Sequence, residues 1–150
     1  MRLRFDLSHP APATGTPDGF VLRGFLPDDA RAVHSLLVLV FGDEEPEFDR
    51  WWESRSGDGE YDPAVSFVTT DADGTIVGAA WCWTSGFLKD LAVAPSARRK
   101  GLGEALCGAV FETFRARGLA HVDLKTNLVE SAEAVRLYRR LGMVEVDWAG

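Results

Sequence analysis

Three consecutive cations, Arg98, Arg99 and Lys100, stand immediately before Gly101 and Gly103, and the apolar run Leu91-Ala92-Val93-Ala94-Pro95 stands just before the cations. From about Gly103 onward, Ala105, Leu106, Val110, Phe111 and Phe114 recur at helical spacing. A strand, a glycine-containing loop and a helix start, in that order, aim several unpaired backbone N–H groups at one spot. The helix dipole adds partial positive charge there. The chemistry of such a spot is phosphate binding. Gly101 and Gly103 carry no Cβ, so a ligand can approach the backbone closely. Arg98, Arg99 and Lys100 add formal charge suited to a pyrophosphate. Neither a P-loop, G-x-x-x-x-G-K-[ST], nor a dinucleotide fingerprint, G-x-G-x-x-G, is present.

A second chemical residue is Tyr138. It sits in a segment from about Ser131 to Leu141 with Ala134, Leu137, Tyr138 and Leu141 at helical spacing, closed by Gly142. The pattern Arg98-x-x-Gly101-x-Gly103 after a strand, followed downstream by Leu137-Tyr138 and Gly142-Met143, resembles the GNAT superfamily of N-acetyltransferases. The resemblance spans nearly the whole chain and is strongest from Phe87 to Met143. Asp18-Gly19-Phe20-Val21-Leu22-Arg23, with Pro27-Asp28-Asp29-Ala30, is also similar to one half of the two-domain mycothiol synthases.

The resemblance implies acetyl-CoA as acyl donor and an amine as acceptor. It implies that the loop of Arg98, Arg99, Lys100, Gly101, Leu102, Gly103 and Glu104 holds the CoA phosphates. It implies that the backbone of Leu91, Ala92 and Val93 pairs with the pantetheine arm, and that Tyr138 protonates the departing thiolate. Many members carry an asparagine seven residues before this tyrosine. Here Ser131 holds that place and Asn127 lies farther upstream, so both stand as candidates for the pantetheine contact.

An attacking alkyl amine is protonated at neutral pH and must lose a proton, so the reaction needs a base. Asp90, in the strand before the loop, is the candidate. The alternative is that it partners Lys89, a helix end or an unpaired backbone group. Many relatives have a glutamate three residues earlier, where this chain has Phe87. Glu44, Glu45 and Glu53 are further candidates. The acids from Asp43 to Asp49 precede Trp51 and Trp52, and acids beside aromatic rings suit a cationic amine. Glu44, Glu45, Trp51 and Trp52 are therefore expected at the acceptor. The alternative is a solvated acidic helix start with its tryptophans packed inward.

These residues must be positioned by an α/β (α+β) fold. The chain reads strand, strand, two helices, three strands, helix, strand, helix, strand. Arg2–Leu7 is expected as an edge strand and Phe20–Phe25 as a second. Pro27 opens a helix carrying Ala30, Val33, Leu36, Leu37 and Val40. A short helix with Trp51 and Trp52 follows. Asp71-Ala72-Asp73-Gly74 joins two strands as a hairpin turn. The resemblance implies a GNAT-like mixed, mostly antiparallel sheet of six to seven strands with about four helices, residues 1–150 forming one N-acetyltransferase domain.

The net charge of −7 argues against nucleic acid as a partner. No apolar run approaches the roughly 18 residues of a membrane span, so no membrane partner is expected. Cys82 and Cys107 read as small buried residues, and a cytoplasmic location is expected. No His, Cys and Asp spacing fits a metal site. The acceptor is expected to be a small-molecule or peptide amine, and a homodimer is left open. The competing function is a catalytically inactive acyl-CoA-binding regulatory or interaction module of the same fold. Hydrolase and nucleotide-binding readings lack their motifs.

Overall fold

The computed structural model of the protein describes residues 1–10, 15–42, 44–126 and 132–147. Seven strands form one sheet: β1 (Arg2–Asp6), β2 (Val21–Gly24), β3 (Phe67–Thr70), β4 (Ile76–Trp83), β5 (Phe87–Val93), β6 (His121–Lys125) and β7 (Val144–Val146). Four helices flank it: α1 (Ala30–Val40), α2 (Phe48–Ser56), α3 (Leu102–Ala116) and α4 (Ala132–Arg140). The strand order is β2-β3-β4-β5-β6-β1-β7. Every pairing is antiparallel except β5 with β6. Fold class and element order match the expectation.

One expected position changes. β1 is not an edge strand but lies between β6 and β7, pairing with both. Alternation explains the fit. Leu3 and Phe5 point to the buried face and Arg2 and Arg4 to the other, matching Leu124 and Val122 against Lys125 and Asp123 on β6. Phe5 stacks on Phe111 of α3 at 4.1 Å between ring centroids.

Each sheet face carries its own core. One holds Leu3, Phe5, Leu106, Val110, Phe111, Phe114, Val122 and Tyr138. The other holds Ala30, Val33, Leu37, Trp51, Val77, Ala79 and Trp81 under α1 and α2. The β3–β4 turn is built as expected. Asp71 Oδ1 accepts from the N–H groups of Asp73 (2.9 Å) and Thr75 (3.0 Å), and Gly74 takes φ +83°.

Candidate active site

The parallel neighbours β5 and β6 meet at one register pair, Phe87 with Asp123, where the Asp123 N–H donates to the Gly86 carbonyl at 3.0 Å. Beyond that point no ladder joins them among the described residues. The sheet therefore opens along the C-terminal part of β5. A bulge at Lys89 shifts the β4–β5 register, so that Trp81 faces Asp90 and Cys82 faces Leu88. The Ala94 N–H donates to the Val77 carbonyl at 2.8 Å. By antiparallel alternation, Ala92 directs its backbone to β4, whereas Leu91 and Val93 direct theirs into the opening. Ala92 thus leaves the set of backbone partners expected for a pantetheine arm. Arg98 bridges the rim, its Nε donating to the Val93 carbonyl at 3.0 Å.

After β5, a single 3-10 turn, Pro95–Ala97, leads into the basic loop. Arg99 takes φ +64° and Gly101 takes φ +87° as the residue before α3. No side chain caps this helix. The N–H groups of Leu102, Gly103 and Glu104 therefore point outward without helical acceptors, the geometry a phosphate needs. Arg98, Arg99 and Lys100 are exposed around them. The two glycines have different reasons. Gly101 supplies the left-handed turn. At Gly103 a Cβ would come within 3.0 Å of Leu137 Cδ2, so its glycine lets α3 and α4 approach. The Glu104 carboxylate pairs with Arg140 at the end of α4, so only its backbone faces the loop.

That packing sets Tyr138 of α4 in the core, near Cys107 of α3 and Asp90 of β5. The residue is 7% exposed. Burial, and then the nearby Cys107 and Asp90, push its phenol above its ordinary value near 10. At neutral pH it is a protonated donor. Cys107 and Cys82 are buried free thiols, as expected; burial pushes Cys107 up to about 12. Asn127, Ser131 and Asp43 lie outside the described residues.

Asp90 has a partner that the sequence reasoning missed. Arg55, from the last turn of α2, places Nη1 at 2.8 Å from Asp90 Oδ2 and Nη2 at 3.3 Å from Glu44 Oε2. The Asp90 contact is an ion contact without hydrogen-bond geometry, whereas the Glu44 contact is a hydrogen bond. The guanidinium also lies 5.2 Å from the ring centroids of both Trp51 and Trp81. The aromatic and acidic site expected for an acceptor amine thus already holds a cation of the protein's own. Trp51 is 2% exposed and belongs to the core, so it does not face an acceptor directly. Trp52 is half-buried, edge-on to Tyr61. Glu45 bonds locally, its Oε1 accepting from the Glu47 N–H. The signal was available: Arg55 sits one turn after Trp51, on the helix face that points inward.

A cavity of about 340 Å³ opens on the same sheet face, where β5 and β6 meet. Arg2, Glu60, Trp83, Phe87, His121 and Asp123 line it. Its floor is a second charged cluster. Asp123, whose side chain is 3% exposed, accepts from Arg2 Nε (2.8 Å), Arg4 Nε (2.8 Å) and Arg4 Nη2 (2.9 Å). Burial alone would raise this carboxyl; the bonds from Arg4 and Arg2 outweigh it and hold the group below its usual range. His121 Nδ1 lies 3.2 Å from Asp123 Oδ1. Among the described residues no group of His, Cys, Asp and Glu could hold a metal ion, and no helix is long and apolar enough to cross a membrane.

The parted strands, the uncapped helix behind a basic loop and the tyrosine beside them form one unit, and residues 30–143, which contain it, match the family model described as acetyltransferase (GNAT) family. The chain belongs to the GNAT family. It is 35% identical over 94% of its length to a mycothiol acetyltransferase of Thermobispora bispora, covering 52% of that protein. It is 34% identical over 85% of its length to a streptothricin acetyltransferase of Streptomyces lavendulae, covering 64% of it. Among solved structures, a GCN5-related N-acetyltransferase from Sphaerobacter thermophilus superposes with a TM-score of 0.80 at 28% identity, over 95% of this chain and 47% of that one. The chain spans about half the length of the mycothiol acetyltransferases it matches. Its own sheet carries Phe87 at the foot of β5, β1 in the sixth strand position and the Arg55 pair behind Asp90.

Proposed function

We propose that residues 1–150 act as a single N-acetyltransferase domain that moves an acetyl group from acetyl-CoA to an amine by direct attack on the thioester. The observation that carries this reading is the joining of an unpaired stretch of β5 to an uncapped, cation-flanked helix start. Few ligands need both a strand partner and a phosphate seat, and a pantetheine diphosphate is one.

In this reading the N–H groups of Leu102, Gly103 and Glu104 and the side chains of Arg99 and Lys100 bind the phosphates. Arg98 holds the loop to Val93 and adds charge. The Leu91 and Val93 backbone orients the pantetheine arm, and an N–H there polarises the thioester carbonyl. Alignment of the two substrates lowers the barrier by removing translational freedom before reaction. The amine nitrogen bonds to the carbonyl carbon and its proton passes to Asp90, directly or through a water that Asp90 holds. The C–S bond then breaks and Tyr138 donates its proton to the thiolate. Of the acceptor residues expected, Trp52, Glu44 and Glu45 remain candidates for the rim, while Trp51 supports them from behind. The pairing of Tyr138 with an intact loop gives no support to an inactive module.

Thiol release from acetyl-CoA with a panel of amines tests this directly. Tyr138→Phe should lower turnover by about 100-fold, within the range for lost acid catalysis, and leave acetyl-CoA affinity within about twofold. Because Tyr138 stays protonated through pH 9, the wild-type rate should rise with pH as the amine deprotonates and show no tyrosine-dependent fall below pH 10. Unchanged turnover in Tyr138→Phe under chemistry-limited conditions removes the tyrosine from the reaction.

A further inference from the structure

The cavity at the foot of the opening is not explained by the CoA reading. It lies on the α1 and α2 face of the sheet, because its wall residue Trp83 is two positions from Trp81 on β4 and pairs with Phe87, as Trp81 pairs with Asp90. Asp90 and this cavity therefore share one surface. Its charge is unlike that of the chain as a whole. Among its lining residues Arg2 and Lys125 stand against Glu60 and Asp123, a balanced set on a protein of net charge −7.

The placement of that charge is specific. Asp123 receives three hydrogen bonds from two arginines, so its own charge is spent within the cluster. Arg4 uses Nε and Nη2 on it. Arg2 uses only Nε, and its side chain stays 25% exposed at the cavity wall. The Arg2 guanidinium carbon is 5.9 Å from the Phe87 ring centroid. The terminal nitrogens of Arg2 are thus presented at a fixed place, held from behind by Asp123 and flanked by an aromatic ring. Such a fork matches a carboxylate or phosphate. Glu60, across the cavity, has Oε1 occupied by the Ser85 N–H at 3.0 Å. The His121 Nδ1 atom is buried there without a hydrogen bond.

We propose that this cavity binds an anionic group of the acceptor, a carboxylate or phosphate on Arg2, so that the acceptor is a small amine carrying a negative charge beside an apolar portion seated on Trp83 and Phe87. The inference rests on the acetyltransferase reading, and it adds the acceptor class. The amine end points along the sheet toward Asp90, while the anionic end remains at the foot of the opening. The cavity volume is at the lower end of ligand pockets, which suits a molecule of amino-acid size.

The test is equilibrium binding by calorimetry in the presence of CoA, using matched amines. Leucine is compared with isoamylamine, and phosphoethanolamine with ethanolamine. The expected result is binding at least tenfold tighter for the anionic member of one pair, which also says whether carboxylate or phosphate is preferred. Arg2→Gln should erase that gap, and Arg2→Lys, which keeps the charge but not the fork, should keep only part of it. Arg4→Gln, off the cavity wall, should keep it within threefold. Asp123 retains Arg4 in the Arg2 variants, and circular dichroism confirms that they fold. Equal affinity within both pairs, a gap that survives Arg2→Gln, or no binding by any of the four amines at millimolar concentration overturns the proposal. CoA affinity is read in the same titrations, so a failure of the acetyltransferase reading shows separately as loss of CoA binding.

Discussion

Two charged clusters lie on one face of the sheet and invert each other's composition. Around Arg55, one cation is shared by two carboxylates, Asp90 and Glu44. Around Asp123, one carboxylate is shared by two cations, Arg2 and Arg4. The first is closed: the Arg55, Asp90 and Glu44 side chains are 7%, 13% and 16% exposed, and α2 with its tryptophans covers them. The second is closed only at its centre, where Asp123 is 3% exposed while Arg2 and Arg4 reach water at 25% and 29%. The ion contacts are of similar length, but their surroundings give them different work. The buried pair holds helix to sheet and leaves Asp90 a 13% exposed edge for an amine or a water. A half-open one presents a charge that something else can use. The surplus is negative in the Arg55 cluster and positive in the Asp123 cluster, a polarity that the proposed acceptor would match.

The largest effect should come from the sealed cluster. Arg55→Met leaves Asp90 and Glu44 buried without their cation. We expect a loss of about 3–5 kcal/mol, which for a domain of this size is a melting-point drop of roughly 6–20 °C. Replacing Asp90 by Asn in the same chain should restore about half of it, since only Glu44 is then left buried without its cation. A loss below about 1 kcal/mol in urea titration would show that the cluster is hydrated and would end the contrast.

Asp123→Asn should cost less, about 2 kcal/mol, because its arginines can turn to water. Its signature is in the pH dependence. The folded carboxyl is held below its unfolded value, so the contribution is complete above an ordinary carboxylate pKa near 4 and fades as pH falls through the folded value. Between pH 5 and pH 2 the wild type should therefore lose more stability than Asp123→Asn. Parallel curves for the two proteins would show that the arginines do not stabilise the charged form.

Salt gives the finest distinction. Raising sodium chloride from 0.1 to 1 M shortens the screening length from about 10 to 3 Å. The cost of Asp123→Asn should shrink by about 0.5 kcal/mol, in the range of a surface ion pair, while the cost of Arg55→Met should hold. Equal responses would place both clusters in the same environment.

Much of this fold was legible from periodicity. The apolar run read before the basic loop holds the end of β5, and the two glycine punctuations around α3 and α4 were visible. The uncapped helix start behind the basic loop was legible too, because its parts are contiguous in the chain. Asp90 was found, but not its partner: Arg55 is 35 positions away in sequence, and local pattern does not report which helix covers which strand. The cavity was missed for the same reason. Its lining comes from β1, the loop after α2, the β4–β5 turn and β6. The residues did carry a trace in their alternation, Arg2 and Arg4 on one strand and His121, Asp123 and Lys125 on another, each set opposite an apolar face. Only the pairing of β1 with β6 makes the two traces one cluster.

That pairing also has a consequence in time. Arg2 and Asp123 are 121 residues apart in the chain. At roughly 5–20 residues per second, the first strand leaves the ribosome on the order of 6–24 s before its partner. Until then β1 is an unpaired, half-apolar segment, and its other partner, β7, follows later still. The β3-β4-β5 part of the sheet can assemble earlier as successive hairpins, with β2 joining across α1 and α2, whereas the β6-β1-β7 end waits for a longer-range closure, the slow kind of contact in folding. Refolding should therefore show the β2–β5 amides protected before those of β1 and β7, with the Asp123 cluster the last part of the molecule to exist.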